Sequence, residues 1–241
     1  MKFTREYLCV PISTGTSLFN PEFVNACKNK DYVLKLGHRK DKGYKYYVGV
    51  DPAISTDGDY NVITVLEVDD EMNKTIVHVD RAKNVEFREN IEKVRLIGKI
   101  FQPEAIFYET NTFAKAFTQE LRNISDLNIQ DFNTTRKKKQ EIILNLQMNI
   151  ENGKIRFPYG DEGSRRLTNA LIEELSMFSI TQSGKFEGVG AHDDLVMSLA
   201  LANAATQNPT EQFILLDDMG IFDESPTTPT LVTGGVHSLN W

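Results

Sequence analysis

Residues 44–68 read YKYYVGVDPAISTDGDYNVITVLEV, and this stretch decides the fold. Residues 44–50 are aromatic and β-branched, the composition of a strand. Asp51-Pro52 ends that strand, because proline has no N–H to continue the ladder. A polar loop, STDGDYN, leads to a second strand at 62–68. A third is expected at 75–79, reached through the acidic hairpin DDEMNK. The period then changes. Phe87, Ile91, Val94, Leu96, Ile97, Ile100 and Phe101 recur at helical spacing, and Gln102-Pro103 stops the helix. Further on, 105–108 reads as a short buried strand ending in Glu109, 112–121 as a helix and 129–132 as a strand. A helix at 137–150 carries Ile142, Ile143, Leu146 and Ile150 on one face, with Gly153 closing it. Residues 164–175 read as a helix, 177–186 as a hairpin through Ser183-Gly184, and 194–205 as a helix of small residues. Three hairpin strands followed by alternating helices and strands predict an α/β fold: a mixed central sheet with helices on both faces.

Before this core, residues 1–40 show no strong period. Turn-formers (Pro11, Ser13, Gly15, Pro21) and a few apolar anchors (Phe3, Tyr7, Leu8, Leu18, Phe19, Phe23) read as a lead-in laid over the domain. The domain itself is expected at 41–207, and 208–241 as an acidic, partly flexible tail. The 241 residues hold 27 basic and 34 acidic side chains, a net charge of −7, which disfavours nucleic-acid binding by bulk charge alone. The last basic residue is Lys185, so the acidity is concentrated beyond it and the earlier part is close to balanced. No apolar run reaches the ~18–20 residues of a membrane span, and the N-terminus is too charged for a secretory signal. Cys9 and Cys27 have no metal-type spacing, and a reducing compartment is the default. The Gly-Lys pairs at Gly98, Gly153 and Gly184 lack the rest of a P-loop, so no nucleotide is expected.

The informative residues are acids in places where acids are scarce. Asp51 follows YYVGV and Glu109 follows AIFY, each at the carboxyl end of a strand, while Asp193 and Asp194 open the helix LVMSLALANAA. Side chains at such strand ends face the crevice where open α/β sheets bind ligands. Carboxylates converging there repel one another unless a cation sits among them. Hard oxygen donors with room for water suit Mg²⁺ or Mn²⁺, and two such ions ~3.5–4 Å apart can drive phosphodiester hydrolysis. Each acid also has an ordinary use: Asp-Pro makes turns, Glu109 leads into a helix, and one of Asp193 and Asp194 is a good N-cap. His192 is a surface residue, a phosphate contact or a proton carrier.

VGVDPAISTDGDYNVITVLEV, AIFYETNTFA and, most specifically, AHDDLVMSLALA resemble the ribonuclease H-like metal nucleases. They look most like the C-terminal nuclease domain of the large terminase subunit of tailed bacteriophages. The resemblance runs from about residue 44 to 205, and REYLCVPISTGTSLFNPEFV looks like the end of a packaging ATPase passing into the nuclease. It implies a ribonuclease H-like sheet and two metal ions held by Asp51, Glu109 and Asp194, with Asp193 as the alternate. Asp59 falls where the family has a further acid near the metals. The implied activity is endonucleolytic cutting of concatemeric viral DNA at the start and end of packaging. The implied partners are double-stranded DNA, a terminase ATPase domain, a small terminase subunit and a portal, in the host cytoplasm. The family's large subunit carries a P-loop ATPase that this sequence lacks, which implies a fragment or a separately made domain.

Arg136, Lys137, Lys138 and Lys139 open one helix, and Arg165 and Arg166 another. Cations at a helix N-terminus oppose the macrodipole, so their reading is phosphate contact or a solvated turn. Lys154, Arg156 and Lys185 are weaker candidates. Competing readings are another ribonuclease H-like enzyme (a resolvase, transposase or exonuclease), a non-catalytic docking module of the motor, and an actin-like ATPase. The last needs glycine-rich phosphate loops, which ISTDGDYN supplies poorly.

Overall fold

The computed structural model describes residues 17–34, 43–53, 60–110, 115–181, 185–188 and 192–207. Its strands are β1 (Lys28–Asn29), β2 (Lys45–Asp51), β3 (Tyr60–Val68), β4 (Lys74–Lys83), β5 (Ala105–Glu109), β6 (Ile129–Phe132) and β7 (Ile155–Pro158). They form one sheet in the order β1-β7-β4-β3-β2-β5-β6. Residues 44–68 supply two strands of its antiparallel centre: β2 pairs with β3, and β3 in turn with β4. Parallel strands extend both flanks, β5 and β6 beyond β2, β7 and β1 beyond β4. The sheet is therefore mixed, as expected. β8 (Phe178–Ile180) and β9 (Phe186–Gly188) form a separate antiparallel pair where a hairpin was expected at 177–186, and its expected turn at Ser183-Gly184 lies outside the described residues.

The helices are α1 (Pro21–Ala26), α2 (Phe87–Phe101), α3 (Lys115–Ile124), α4 (Arg136–Glu151), α5 (Glu162–Met177) and α6 (Asp194–Ala205). Strand alternation divides the core in two. Tyr46, Val48, Val50, Ile63 and Val65 pack with α2 and α3 on one face. Val62, Leu66, Val68 and Ile76 pack with α4, α5 and α6 on the other. All twelve residues of α6 are buried, which explains its small side chains and lack of a polar face. Gly49 of β2 is the point of closest approach. A Cβ there would lie 2.1 Å from the Ser198 carbonyl oxygen and 2.3 Å from the Ala202 nitrogen. Ser198 Oγ is hydrogen-bonded to Thr64 Oγ1 at 2.7 Å and donates to the Gly49 carbonyl at 3.2 Å, pinning the helix to the sheet.

The structure departs from the sequence reading where elements are short or charged. β4 runs on through the charged residues DRAK to Lys83, because its ladder with β3 continues to Tyr60. β7, α1 and β1 are too short to show a period. Leu18 and Phe19 are buried as expected, but Phe23 and Leu96, read as apolar contacts, are 42% and 55% exposed. The helix expected from 112 runs Lys115–Ile124, and residues 111–114 lie outside the described residues. Among the described residues no helix is long and apolar enough to cross a membrane.

Candidate metal centre and nucleic-acid interface

β2 and β5 are parallel neighbours in register Val50↔Tyr108, so the next residues, Asp51 and Glu109, emerge side by side at the carboxyl edge of the sheet. Glu109 is thereby the acid that acts most strongly on the Asp51 carboxyl. α6 brings the third acid. Ser198 sits over Gly49, and Asp194 lies one turn earlier in the helix. One turn is about 6 Å of axis, and the two residues from Gly49 to Asp51 span about the same, so Asp194 is carried to the level of Asp51. The first residue of β3 completes the corner: Tyr60 N–H donates to Asp194 Oδ2 at 3.3 Å.

The electrostatics register this convergence. The Asp51 carboxyl is held well above the usual carboxylate range, first by burial, then by the charge and hydrogen bond of Glu109, then by Asp194 and Asp193. The neighbouring Tyr108 hydroxyl is raised by burial and by the Asp51 charge. Among the described residues, no three His, Cys, Asp or Glu side chains as placed could hold an ion. The donor chemistry still fits a hard divalent cation: clustered carboxylate oxygens whose mutual repulsion favours a bound proton or a positive ion. Asp51, Glu109 and Asp194 are the residues that could hold it, and Asp59 lies outside the described residues.

Asp193 occupies the N-cap position of α6, but its side chain does not cap. This corrects the expectation that one of Asp193 and Asp194 caps the helix with its side chain. The reason is Lys139, whose ammonium lies 2.9 Å from Asp193 Oδ2 and draws the carboxylate away from the helix end. The Leu195 and Val196 N–H groups donate instead to Glu174 Oε2 of α5, at 2.8 and 3.4 Å. His192 Nδ1 lies 3.4 Å from Asp194 Oδ2 without hydrogen-bond alignment, and its ring meets Tyr60 edge-on at 5.0 Å.

The basic residues separate. The first turn of α4, capped by Thr135 through Lys138 N–H, is at the site, since Lys139 reaches Asp193 from it. Arg136, Lys137 and Lys138 are exposed there, whereas Lys139 is half-buried in its ion pair. Arg165 and Arg166 are exposed near the start of α5, but it is the far end of that helix, at Glu174, that meets α6. From residue 165 to 174 is about 13 Å of helix axis, so this pair is not brought to the carboxylates. Lys154 bonds the Glu71 carbonyl and Arg156 the Tyr32 hydroxyl, away from the carboxylate edge.

Sequence reading missed Glu174, Arg81 and Tyr60. A signal for the first was present: Glu174 falls in the apolar stripe of α5 with Leu167, Leu171 and Leu175, whereas Glu173 does not.

The terminase RNaseH-like domain family matches residues 48–205, a span that runs from within β2 to the end of α6. The large terminase nuclease of thermophilic phage G20c is similar over 78% of this chain and 98% of its own, at 22% identity and a TM-score of 0.62. Its magnesium-bound form is similar at 21% identity over 80% of this chain and 98% of its own, with the same TM-score of 0.62. The large terminase of bacteriophage HK97 is similar at 12% identity and a TM-score of 0.57, over 79% of this chain but 43% of its own length. No curated protein matches the chain.

Proposed function

Because the chain belongs to the terminase RNaseH-like domain family, we propose that it is a metal-dependent endonuclease that cuts concatemeric viral DNA when packaging starts and ends. The observation that carries this reading is the convergence of three acids at the carboxyl edge of the sheet: Asp51 and Glu109 side by side at the ends of parallel strands, and Asp194 carried to the same level by α6. The magnesium-bound G20c nuclease supports a divalent cation, and Mg²⁺ or Mn²⁺, as two ions, fits the carboxylate set. Such ions supply Lewis acidity to a phosphoryl oxygen and a more acidic water.

The chain's own residues do the rest. Asp51, Glu109 and Asp194 supply anionic oxygens, and Tyr60 N–H orients the Asp194 carboxylate. Lys139 neutralises Asp193, leaving it an alternate donor. His192 can hold a proton at Nδ1 beside Asp194. Arg136, Lys137 and Lys138 present cations to duplex phosphates beside the carboxylates, which positions DNA without reading sequence. The partners in this reading are duplex DNA, a terminase ATPase domain joined through the lead-in at residues 1–40, a small subunit and a portal, in the host cytoplasm.

The test is a supercoiled plasmid incubated with the chain in Mn²⁺, Mg²⁺ or EDTA, alongside Asp51→Asn. Nicked and linear DNA should form only with metal and only with the unaltered chain. A folded Asp51→Asn that cuts normally removes Asp51 from the site, and no cutting in either metal refutes the nuclease reading.

A further inference from the structure

α6 enters a dry interior, so the N–H groups of its first turn cannot turn to water. The side chain of its own N-cap residue does not serve them, because Lys139 has claimed the Asp193 carboxylate. Met197 N–H is met by the Asp193 carbonyl. Leu195 and Val196 N–H are met by one carboxylate from another helix, that of Glu174. We propose that Glu174, held in place by Arg81, is the positioning residue that fixes Asp194 against Asp51. The inference rests on the reading of Asp194 as a metal ligand.

Glu174 is itself buried and gripped at both oxygens: Oε2 takes the helix amides, and Oε1 takes the Arg81 guanidinium at 2.7 Å. Arg81 also reaches Asp194 by a second route. Its guanidinium lies 3.9 Å over the Tyr60 ring, and the Tyr60 N–H donates to Asp194 Oδ2. One cation thus steadies both backbone segments that flank the Asp194 carboxylate. The site of action is also local. Four residues beyond Asp194, Ser198 locks α6 to Gly49 and Thr64. Losing Glu174 therefore frees the turn that carries Asp194 while leaving the rest of the helix docked.

Arg81 reaches this face only through a β-bulge. The β4 register passes from Leu66↔Ile76 to Val65↔His78, skipping Val77. Ile76 and Arg81 would face opposite sides in a regular strand, and the extra residue puts both toward α5 and α6. Bulges recur beside active sites because they re-aim one side chain in this way.

The experiment uses the full 241-residue chain unaltered and as Glu174→Ala, Glu174→Gln, Arg81→Gln and Asp161→Ala. Asp161 caps α5 through Ser164 N–H, away from the carboxylates, and controls for loss of a cap as such. Amide hydrogen exchange, Mn²⁺ titration calorimetry and melting temperature are read on each. Glu174→Ala should speed exchange at Leu195 and Val196, leave residues 199–203 protected, and weaken Mn²⁺ binding about tenfold or more, as loss of an outer support does. Glu174→Gln keeps an acceptor oxygen and should recover most of that affinity. Asp161→Ala should lower the melting temperature and leave Mn²⁺ binding alone. Unchanged Mn²⁺ affinity in Glu174→Ala, or an equal loss in Asp161→Ala, overturns the positioning role. Should Glu174→Ala not fold, Arg81→Gln carries the test: its Mn²⁺ affinity should fall, and an unchanged value overturns the proposal. Failure of the unaltered chain to bind Mn²⁺ overturns the metal-site reading itself, and unchanged exchange at Leu195 in Glu174→Ala overturns the cap.

Discussion

Adding one methyl group at Gly49 should both unfold the protein more easily and disable its site. A Cβ at this position would meet the Ser198 carbonyl oxygen at 2.1 Å and the Ala202 nitrogen at 2.3 Å. Both are backbone atoms of α6, so no rotamer change can relieve the overlap. An ordinary carbon–oxygen contact needs roughly 1 Å more, and α6 or β2 must move by about that much. Overpacking of this kind costs about 1–3 kcal/mol, and a rigid backbone neighbour places Gly49→Ala at the upper end or beyond. The same shift carries Asp194 away from Asp51, and a 1 Å misplacement of a catalytic group can cost about 10²-fold in rate. Gly98→Ala is the internal control. The nearest atoms its Cβ would meet belong to the side chain of Leu127, at 2.6 Å, which can turn aside, and α2 gains a better helix former. Urea unfolding followed by circular dichroism, with Mn²⁺-dependent plasmid cleavage, reads both effects. Gly49→Ala should lower the unfolding midpoint sharply at constant slope and lose most of its cleavage, while Gly98→Ala stays within about 1 kcal/mol of the parent. A Gly49→Ala protein as stable and active as the parent would refute the close packing of α6 on β2.

The remaining predictions concern the acids, the lysines and one buried charge. Asp194→Ala should abolish cleavage, whereas Asp193→Ala loses only the partly exposed ion pair with Lys139, worth about 1 kcal/mol or less; the reverse ranking of activities would show the pair assigned backwards. Lys138→Ala should reduce the log–log salt slope of duplex binding, measured by fluorescence anisotropy, by about 0.9. Lys139→Ala should leave that slope alone, because its cation already faces Asp193, and equal slopes lost at both positions would refute the distinction. Lys74 is buried against Asn149 and its pKa is pushed down to about 8 by burial and by Lys154. The unfolded chain therefore binds the extra proton between pH 8 and the ordinary lysine range, so stability at this group rises with pH through that window and is lost as pH falls through 8. Relative to Lys74→Met, the parent should gain up to about 3 kcal/mol over that range, and parallel stability curves would show that the ammonium is not desolvated.

The sequence by itself determined the centre of this protein. The seven residues YYVGVDP and the seven at 62–68 declare a buried hairpin through composition and a terminating proline, and AIFYE and DDLVMSLALA place acids at element ends where little else explains them. Those are local signals, carried by periodicity and by the chemistry of single residues, so they can be read without neighbours. The division of labour within Asp193-Asp194 could not be read that way. It depends on Lys139, which lies 54 residues away in the chain and takes one carboxylate, and on Glu174, which takes over the cap from another helix. Arg81 was hidden for a related reason. The face it occupies is set by an unpaired residue in β4, and a single bulge inverts every inward-outward assignment beyond it. Pairing across the sheet and packing of one helix on another are long-range events, and they decided which acids and bases act on one another around Asp194.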